Sequence, residues 1–186
     1  MVARSTLLIL ASGLLSAAAF SSSNLPPQLH PVYGGANGTA FTRSCGAGKV
    51  LSGLRAREGA LVDAVGILCR PVRSDGTLGP ESTVGTLVGG SGGTATSDSC
   101  ATGRVASGAV VKHGAYVNRI YLYCRVWDPA TRKFGGTEHT SSSVGYSLSG
   151  GTESSRKCES LSQPVNGIRG RAHSLVDAIG FICDEP

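Results

Sequence analysis

Apolar residues come in short runs along the chain, broken by polar or glycine-rich stretches, and the runs read as strands. Val50-Leu51-Ser52-Gly53-Leu54-Arg55-Ala56-Arg57 forms one predicted strand, Glu58-Gly59-Ala60 a turn, and Leu61 to Cys69 the returning strand. Apolar residues line the faces of that hairpin, with the turn falling where the polar residues cluster. No stretch sustains the 3.6-residue period of an amphipathic helix. One run is different in kind. Arg4 precedes the apolar segment from Leu7 to Ala19, which ends in Ala17-Ala18-Ala19. A positive start, a short apolar stretch and small residues at its end are the layout of a secretory leader. Residues 1–19 are therefore expected to be removed, leaving a mature chain of residues 20–186 with no integral membrane segment.

The hairpin pattern repeats. Residues 38–69, 93–124 and 151–183 align on Gly-Thr, a Cys, an apolar strand containing Gly, a polar turn, and a second strand ending in Cys. The cysteine gaps are 24, 24 and 25 residues. Six Cys allow about 15 connectivities, and the repeat selects Cys45–Cys69, Cys100–Cys124 and Cys158–Cys183. Loops of this size should each gain about 3 kcal/mol from closure. No C-x2-C pair is present, so the cysteines are not read as zinc ligands, and no metal or cofactor is expected. The connectors repeat as well: Thr86-Leu87-Val88-Gly89-Gly90 aligns with Ser147-Leu148-Ser149-Gly150-Gly151 and with Pro31-Val32-Tyr33-Gly34-Gly35. The repeats span roughly 31–85, 86–144 and 145–186 of a single domain. The third ends without a Gly-Gly strand, so residues 31–35 are expected to pair with it and close the ring, hiding a sheet edge.

Composition narrows the function. Charged residues make up 16% of the chain and there are 27 Gly, a turn-rich β composition rather than a disordered or coiled-coil one. The net charge is +5, falling to +4 once Arg4 leaves with the leader. The basic residues are dispersed and not interleaved with aromatics, which argues against nucleic acid as partner. Secretion places the cysteines where disulfides persist. The four histidines, His30, His113, His139 and His173, fall in no hydrolase or metalloprotease motif. Asp63 and Asp177 lie on different repeats, without the paired carboxylate that a glycosidase needs, so no catalytic residue is assigned.

Three units of this form suggest an all-β β-prism of three pseudo-symmetric four-stranded Greek-key repeats, with one disulfide per repeat. Gly38-Thr39-Ala40-Phe41, the Gly-containing strand and Gly59-Ala60-Leu61-Val62-Asp63 closely resemble a unit of the jacalin-related lectins. The disulfide layout is similar instead to vitelline membrane outer layer protein I, a β-prism of the egg envelope. The lectin resemblance implies glycans or glycoconjugates as partners, held by a G-x-x-x-D loop beside a Gly-Gly loop. Carried over, it implies three sites. Asp63, with Gly59, Ala60 and Leu61, would face Gly89, Gly90, Ser91, Gly92 and Gly93. Asp177, with Ser174 and Leu175, would face Gly34, Gly35 and Asn37. Asn118, with Gly114, Ala115 and Tyr116, would face Gly150 and Gly151. A carboxylate accepts from adjacent sugar hydroxyls, and glycine lets a backbone approach the ligand closely.

The Asp63 repeat alone carries the whole motif, so it ranks first. Asp177 follows, because His173 replaces a Gly, and Asn118 is third, because it lacks the charge. The alternative for each is a turn residue bonding its own backbone. Arg55, Arg57, Lys112, Arg169 and Arg171 recur on the same hairpins, either as a solvated outer face or as an attraction for acidic glycans. Asn37-Gly38-Thr39 is an N-glycosylation sequon beside the Asp177 site. Trp127 reads as a packing residue at a turn. A homo-oligomer would raise the avidity of shallow sites. The egg-envelope resemblance implies the second reading, a structural protein of an extracellular coat or matrix.

Overall fold

The computed structural model describes residues 25–146 and 150–186; the expected leader (residues 1–19), residues 20–24, and Ser147, Leu148 and Ser149 of the third connector lie outside them. Every regular element among the described residues is a strand: β1 (Gln28–Leu29), β2 (Tyr33–Gly34), β3 (Thr39–Ser44), β4 (Lys49–Glu58), β5 (Val62–Pro71), β6 (Ser82–Gly89), β7 (Thr94–Ser99), β8 (Arg104–His113), β9 (Val117–Asp128), β10 (Lys133–Thr140), β11 (Val144–Gly145), β12 (Thr152–Lys157), β13 (Val165–Ala172) and β14 (Val176–Cys183). They form three antiparallel sheets. The first has the order β1-β14-β13-β3, with β2 also on β14; the second β6-β5-β4-β7; the third β10-β9-β8-β12, with β11 also on β9. Since β1 with β2, and β10 with β11, each share one edge, every sheet is four strands wide. This is the β-prism read from the repeat.

The long inner hairpins, β4–β5, β8–β9 and β13–β14, turn their β-branched and leucine side chains toward one shared core. Leu54, Val62, Ile67, Ile120, Leu122, Ile168 and Ile179 are almost fully buried. Each such side chain contributes roughly 1.5–3 kcal/mol through its removal from water.

The outer strands follow a rule that the sequence repeat does not show. Thr39–Ser44 precedes the first inner hairpin in sequence but pairs with β13 of the last. Likewise β7 pairs back onto β4 and β12 back onto β8. Each sequence repeat therefore straddles two sheets, the first with β2 and β3 in one and β4 and β5 in the next, and the disulfides join sheets. Cys45 follows β3 of the first sheet and bonds Cys69 in β5 of the second. Cys100 ties the second sheet to the third through Cys124, and Cys158 ties the third back to the first through Cys183. All six are buried and no described cysteine is free.

The glycine inside each apolar strand marks where the outer strand crosses. A Cβ on Gly53 would lie 2.5 Å from Ser99 Oγ, one on Gly108 2.4 Å from the Arg156 carbonyl, and one on Gly167 2.5 Å from the Arg43 carbonyl. A bulge precedes each glycine. The carbonyls of the bulged residues, Ser52, Ser107 and Asn166, accept 2.8 Å bonds from the backbone N–H of Cys100, Cys158 and Cys45. Bulge, glycine and disulfide thus recur as one joint at each seam. Trp127 is buried and donates its indole N–H to the Gly76 carbonyl at 2.8 Å, the packing role expected of it.

Candidate functional site

The three inner turns and the glycine loops gather at one end of the prism. The turns share one geometry: the N–H groups of Gly59, Gly114 and His173 donate to the carbonyls of Leu61, Tyr116 and Leu175 at 3.0, 2.9 and 2.9 Å. His173 closes the same turn as the two glycines, whose φ angles lie outside the left-handed region. Its departure from the motif therefore leaves the backbone intact. Behind each turn a glycine ends the outer strand: Gly34 pairs with Ala178, Gly89 with Ala64 and Gly145 with Arg119. Their φ angles are 133°, 128° and 90°, conformations that disfavour a Cβ. A Cβ there would also strike the carbonyl of Asp177, Asp63 or Asn118, at 2.2 Å in each case.

The Asp63 loop and the loop of residues 89–93 come together. Gly90 donates its N–H to the Asp63 carbonyl at 2.8 Å, so that amide is not free for a ligand. The carboxylate lies against bare backbone: a Cβ on Gly92 would be 2.3 Å from Oδ1, one on Gly93 2.6 Å from Oδ2, and one on Gly59 3.6 Å from Oδ2. Among the described residues the Asp63 carboxylate has no hydrogen-bond partner, in its own turn or elsewhere. The turn is closed by backbone instead. Asp63 is half-buried, while Gly59, Ala60, Ser91, Gly92 and Gly93 border it, most of them exposed.

Asp177 has the same surroundings but is more enclosed. Gly35 donates to its carbonyl at 2.9 Å, and a Cβ on Gly38 would be 2.3 Å from Oδ2. Asp177 is only 3% exposed, and Oδ2 is buried without a partner among the described residues. Asn37 sits exposed in that loop, and Ser174 and Leu175 lie on the adjoining turn.

The middle site departs from the expected alignment. Gly145, not Gly150, takes the strand-ending position of Gly34 and Gly89. Gly151 instead stands before Thr152 as Gly38 does before Thr39, and a Cβ on it would lie 3.5 Å from Asn118 Nδ2. The connector between Gly145 and Thr152 is two residues longer than its counterparts, which slid the Gly-Gly pair out of register. Tyr116 and Tyr146 are both exposed at this end.

Each glycine loop also touches the turn of another sheet. A Cβ on Gly90 would meet the Ser174 carbonyl at 2.1 Å, one on Gly35 the Ala115 carbonyl at 2.3 Å, and one on Gly145 the Val62 side chain at 2.9 Å. Glu58 accepts a bond from the Gly145 N–H, and the Tyr33 ring stacks on His113 at 5.6 Å. Burial lowers the proton affinity of that histidine.

The arginines form neither a free cationic stripe nor a solvated face. Arg57 forks onto the loop carbonyls, Nε to Gly92 at 2.6 Å and a terminal nitrogen to Gly93 at 2.7 Å. Arg171 repeats this on Asn37 and Gly38 at 2.8 and 2.7 Å. Arg55 donates to the Gly85 carbonyl at 3.1 Å, and Arg169 Nε is buried without a partner among the described residues. The clamp role was not foreseen, yet it carries a signal: Arg57 and Arg171 each stand six residues before Asp63 and Asp177, with Lys112 in that place before Asn118.

Three antiparallel sheets closed into a prism make the fold of the jacalin-related lectins, and the chain has that fold. It superposes on a mannose-binding jacalin-related lectin from Ananas comosus with a TM-score of 0.56 and 22% identity, covering 88% of this chain and 100% of that one. For Calystegia sepium agglutinin the values are 0.58 and 17%, covering 87% and 99%, and for Malaysian banana lectin 0.55 and 20%, covering 87% and 100%. No family model and no curated protein matches the sequence.

Proposed function

We propose that the chain is a secreted, non-catalytic carbohydrate-binding protein whose principal site is Asp63 with the loop of residues 89–93. The observation that carries this reading is the Asp63 carboxylate, without a partner among the described residues, half-buried and edged by exposed glycine backbone. A buried-edge acceptor with no internal donor suits adjacent hydroxyl groups of a sugar, and charge-assisted bonds of this kind are the stronger ones. Arg57 holds the loop so that the approach stays open. The mannose-binding lectin from Ananas comosus, of like fold, points to a neutral hexose as the ligand class. Asp177 is a second site that opens only if its loop shifts, and Asn118 a third, uncharged one bordered by Tyr116 and Gly151. A glycan on Asn37 would crowd the Asp177 site. Several sites at one end would compensate for shallow individual binding through effective concentration.

The coat-protein reading expects these loops to be buried or to present an interaction patch; Ser91, Gly92 and Gly93 are exposed, which leaves only the second form of it. The test is calorimetric titration of a neutral mannose oligosaccharide into the wild-type protein and Asp63→Ala. The expected loss is about 1.5–3 kcal/mol of binding with the melting temperature retained; unchanged binding in a folded Asp63→Ala protein would remove Asp63 from the site.

A further inference from the structure

The seam between the third and first sheets differs from the other two. His30, between β1 and β2, crosses directly over the Cys158–Cys183 disulfide. Its backbone N–H donates to the Phe181 carbonyl at 2.9 Å, which fixes it beside β14, and its ring is 3% exposed. His30 Nε2 lies 3.4 Å from Cys183 Sγ, and the ligand atoms of His30, Cys158 and Cys183 all lie within 4.8 Å of one another. No other set of three such groups is this close among the described residues. His139 pairs opposite Cys124 in the β9–β10 ladder but forms no comparable group.

We propose that His30, Cys158 and Cys183 form a reduction-gated site for a thiophilic divalent cation of the zinc class. In the disulfide the sulfurs are not thiolates and do not ligate, since the thiolate is the metal ligand. A dithiol or phosphine reductant supplies two electrons; the S–S bond breaks and two protons are taken up to give two thiols. On metal binding both thiols release their protons, and Cys158 Sγ, Cys183 Sγ and His30 Nε2 each donate a lone pair. A tetrahedral zinc with Zn–S of about 2.3 Å and Zn–N of about 2.0–2.1 Å has an N···S edge of about 3.5 Å, close to the His30–Cys183 separation already present.

The ring is suited to the part. Burial, then the Arg156 charge, lower its proton affinity against smaller opposing effects of the Lys157 backbone and Glu159, so it is neutral at neutral pH with a lone pair to give. A groove of about 510 Å³, lined by His30 with Gln28, Ser155, Arg156 and Glu159, brings solvent to the His30 ring; neither cysteine lines it, but Cys158 follows Lys157 of its wall and is 8% exposed. Water from the groove would supply the fourth ligand. Metal would then replace the disulfide as the tie between the two sheets.

The test uses the mature chain, reduced with a water-soluble phosphine without denaturant and titrated with Co²⁺, followed by Zn²⁺ competition. The expected result is thiolate-to-cobalt charge-transfer absorption saturating at one equivalent and displaced by zinc. Affinity should fall in His30→Ala by more than the about 10–100-fold that loss of an outer-shell partner costs, and stay unchanged in His139→Ala. Should reduction unfold the chain, zinc is expected to restore the β-sheet circular dichroism of the wild type and not of His30→Ala. Absence of the cobalt bands from a folded reduced protein, binding of more than one equivalent, or equal behaviour of wild type and His30→Ala in either format overturns the site.

Discussion

Gly92→Ala separates the geometry of the Asp63 site from the stability of the fold. The φ of Gly92 lies outside the left-handed region, so alanine costs its backbone little. Its Cβ would arrive 2.3 Å from Asp63 Oδ1, then 3.2 Å from Cγ, a separation that no real contact tolerates. The carboxylate, the end of a short side chain, has to turn away. An off-rotamer side chain costs about 0.5–1.5 kcal/mol, so the melting temperature should fall only slightly. Binding should suffer more. If the carboxylate makes a charge-assisted bond of about 1.5–3 kcal/mol to the sugar, its displacement weakens binding about 10- to 150-fold. Gly59→Ala is the matched control, because its Cβ would meet Asp63 Oδ2 at an ordinary 3.6 Å. Titration calorimetry and thermal melting of the two variants decide the matter. A folded Gly92→Ala protein that binds as well as Gly59→Ala would refute the reasoning.

Two further outcomes concern stability. His30 is held below its ordinary proton affinity, chiefly by burial, so the folded chain takes up its proton less readily than the unfolded one. Its stability contribution is present above the unfolded value of about 6.5 and is lost as pH falls from there through the lowered folded value. Urea midpoints should therefore decline from pH 7.5 to 5, and less steeply in His30→Gln, with His113 accounting for part of the remaining slope; parallel slopes would contradict this. Replacing Cys100 and Cys124 by alanine removes the tie between the second and third sheets and should cost about 3 kcal/mol in urea unfolding. A loss below 1 kcal/mol on the same scale would show the seam to be held by its bulge and ladder bonds instead.

The inner hairpins and the disulfide pairs were legible because strand period, turn residues and a recurring cysteine gap all point to the same units. The sheet membership of the outer strands was not. Thr39–Ser44 sits in the same sequence repeat as the β4–β5 hairpin yet pairs with β13, and a repeat encodes what recurs along the chain, not which copy lies alongside. The glycines at 53, 108 and 167 announced a close approach without saying whose strand approaches. At the candidate site, Asp63 and its loop came together as read. In the third loop Gly151 borders Asn118 as read, but the outer strand ends on a glycine that the conspicuous Gly150-Gly151 masked, Gly145. Counting from the preceding cysteine would have found it, since Gly89 lies 20 residues after Cys69 and Gly145 lies 21 after Cys124. The arginine clamps escaped because alternation along a strand gives the face of a side chain but not the loop carbonyl it reaches.

The central claim, that Asp63 and the loop of residues 89–93 hold a sugar, is tested most directly by following backbone amide shifts of the labelled protein during titration with a neutral mannose oligosaccharide. A sugar held there gives saturable shifts concentrated at residues 59–63 and 89–93, persisting at high salt and absent in Asp63→Ala. Shifts confined to the groove of His30, Arg156 and Glu159, or shifts at the glycine loops that survive in Asp63→Ala, would contradict it.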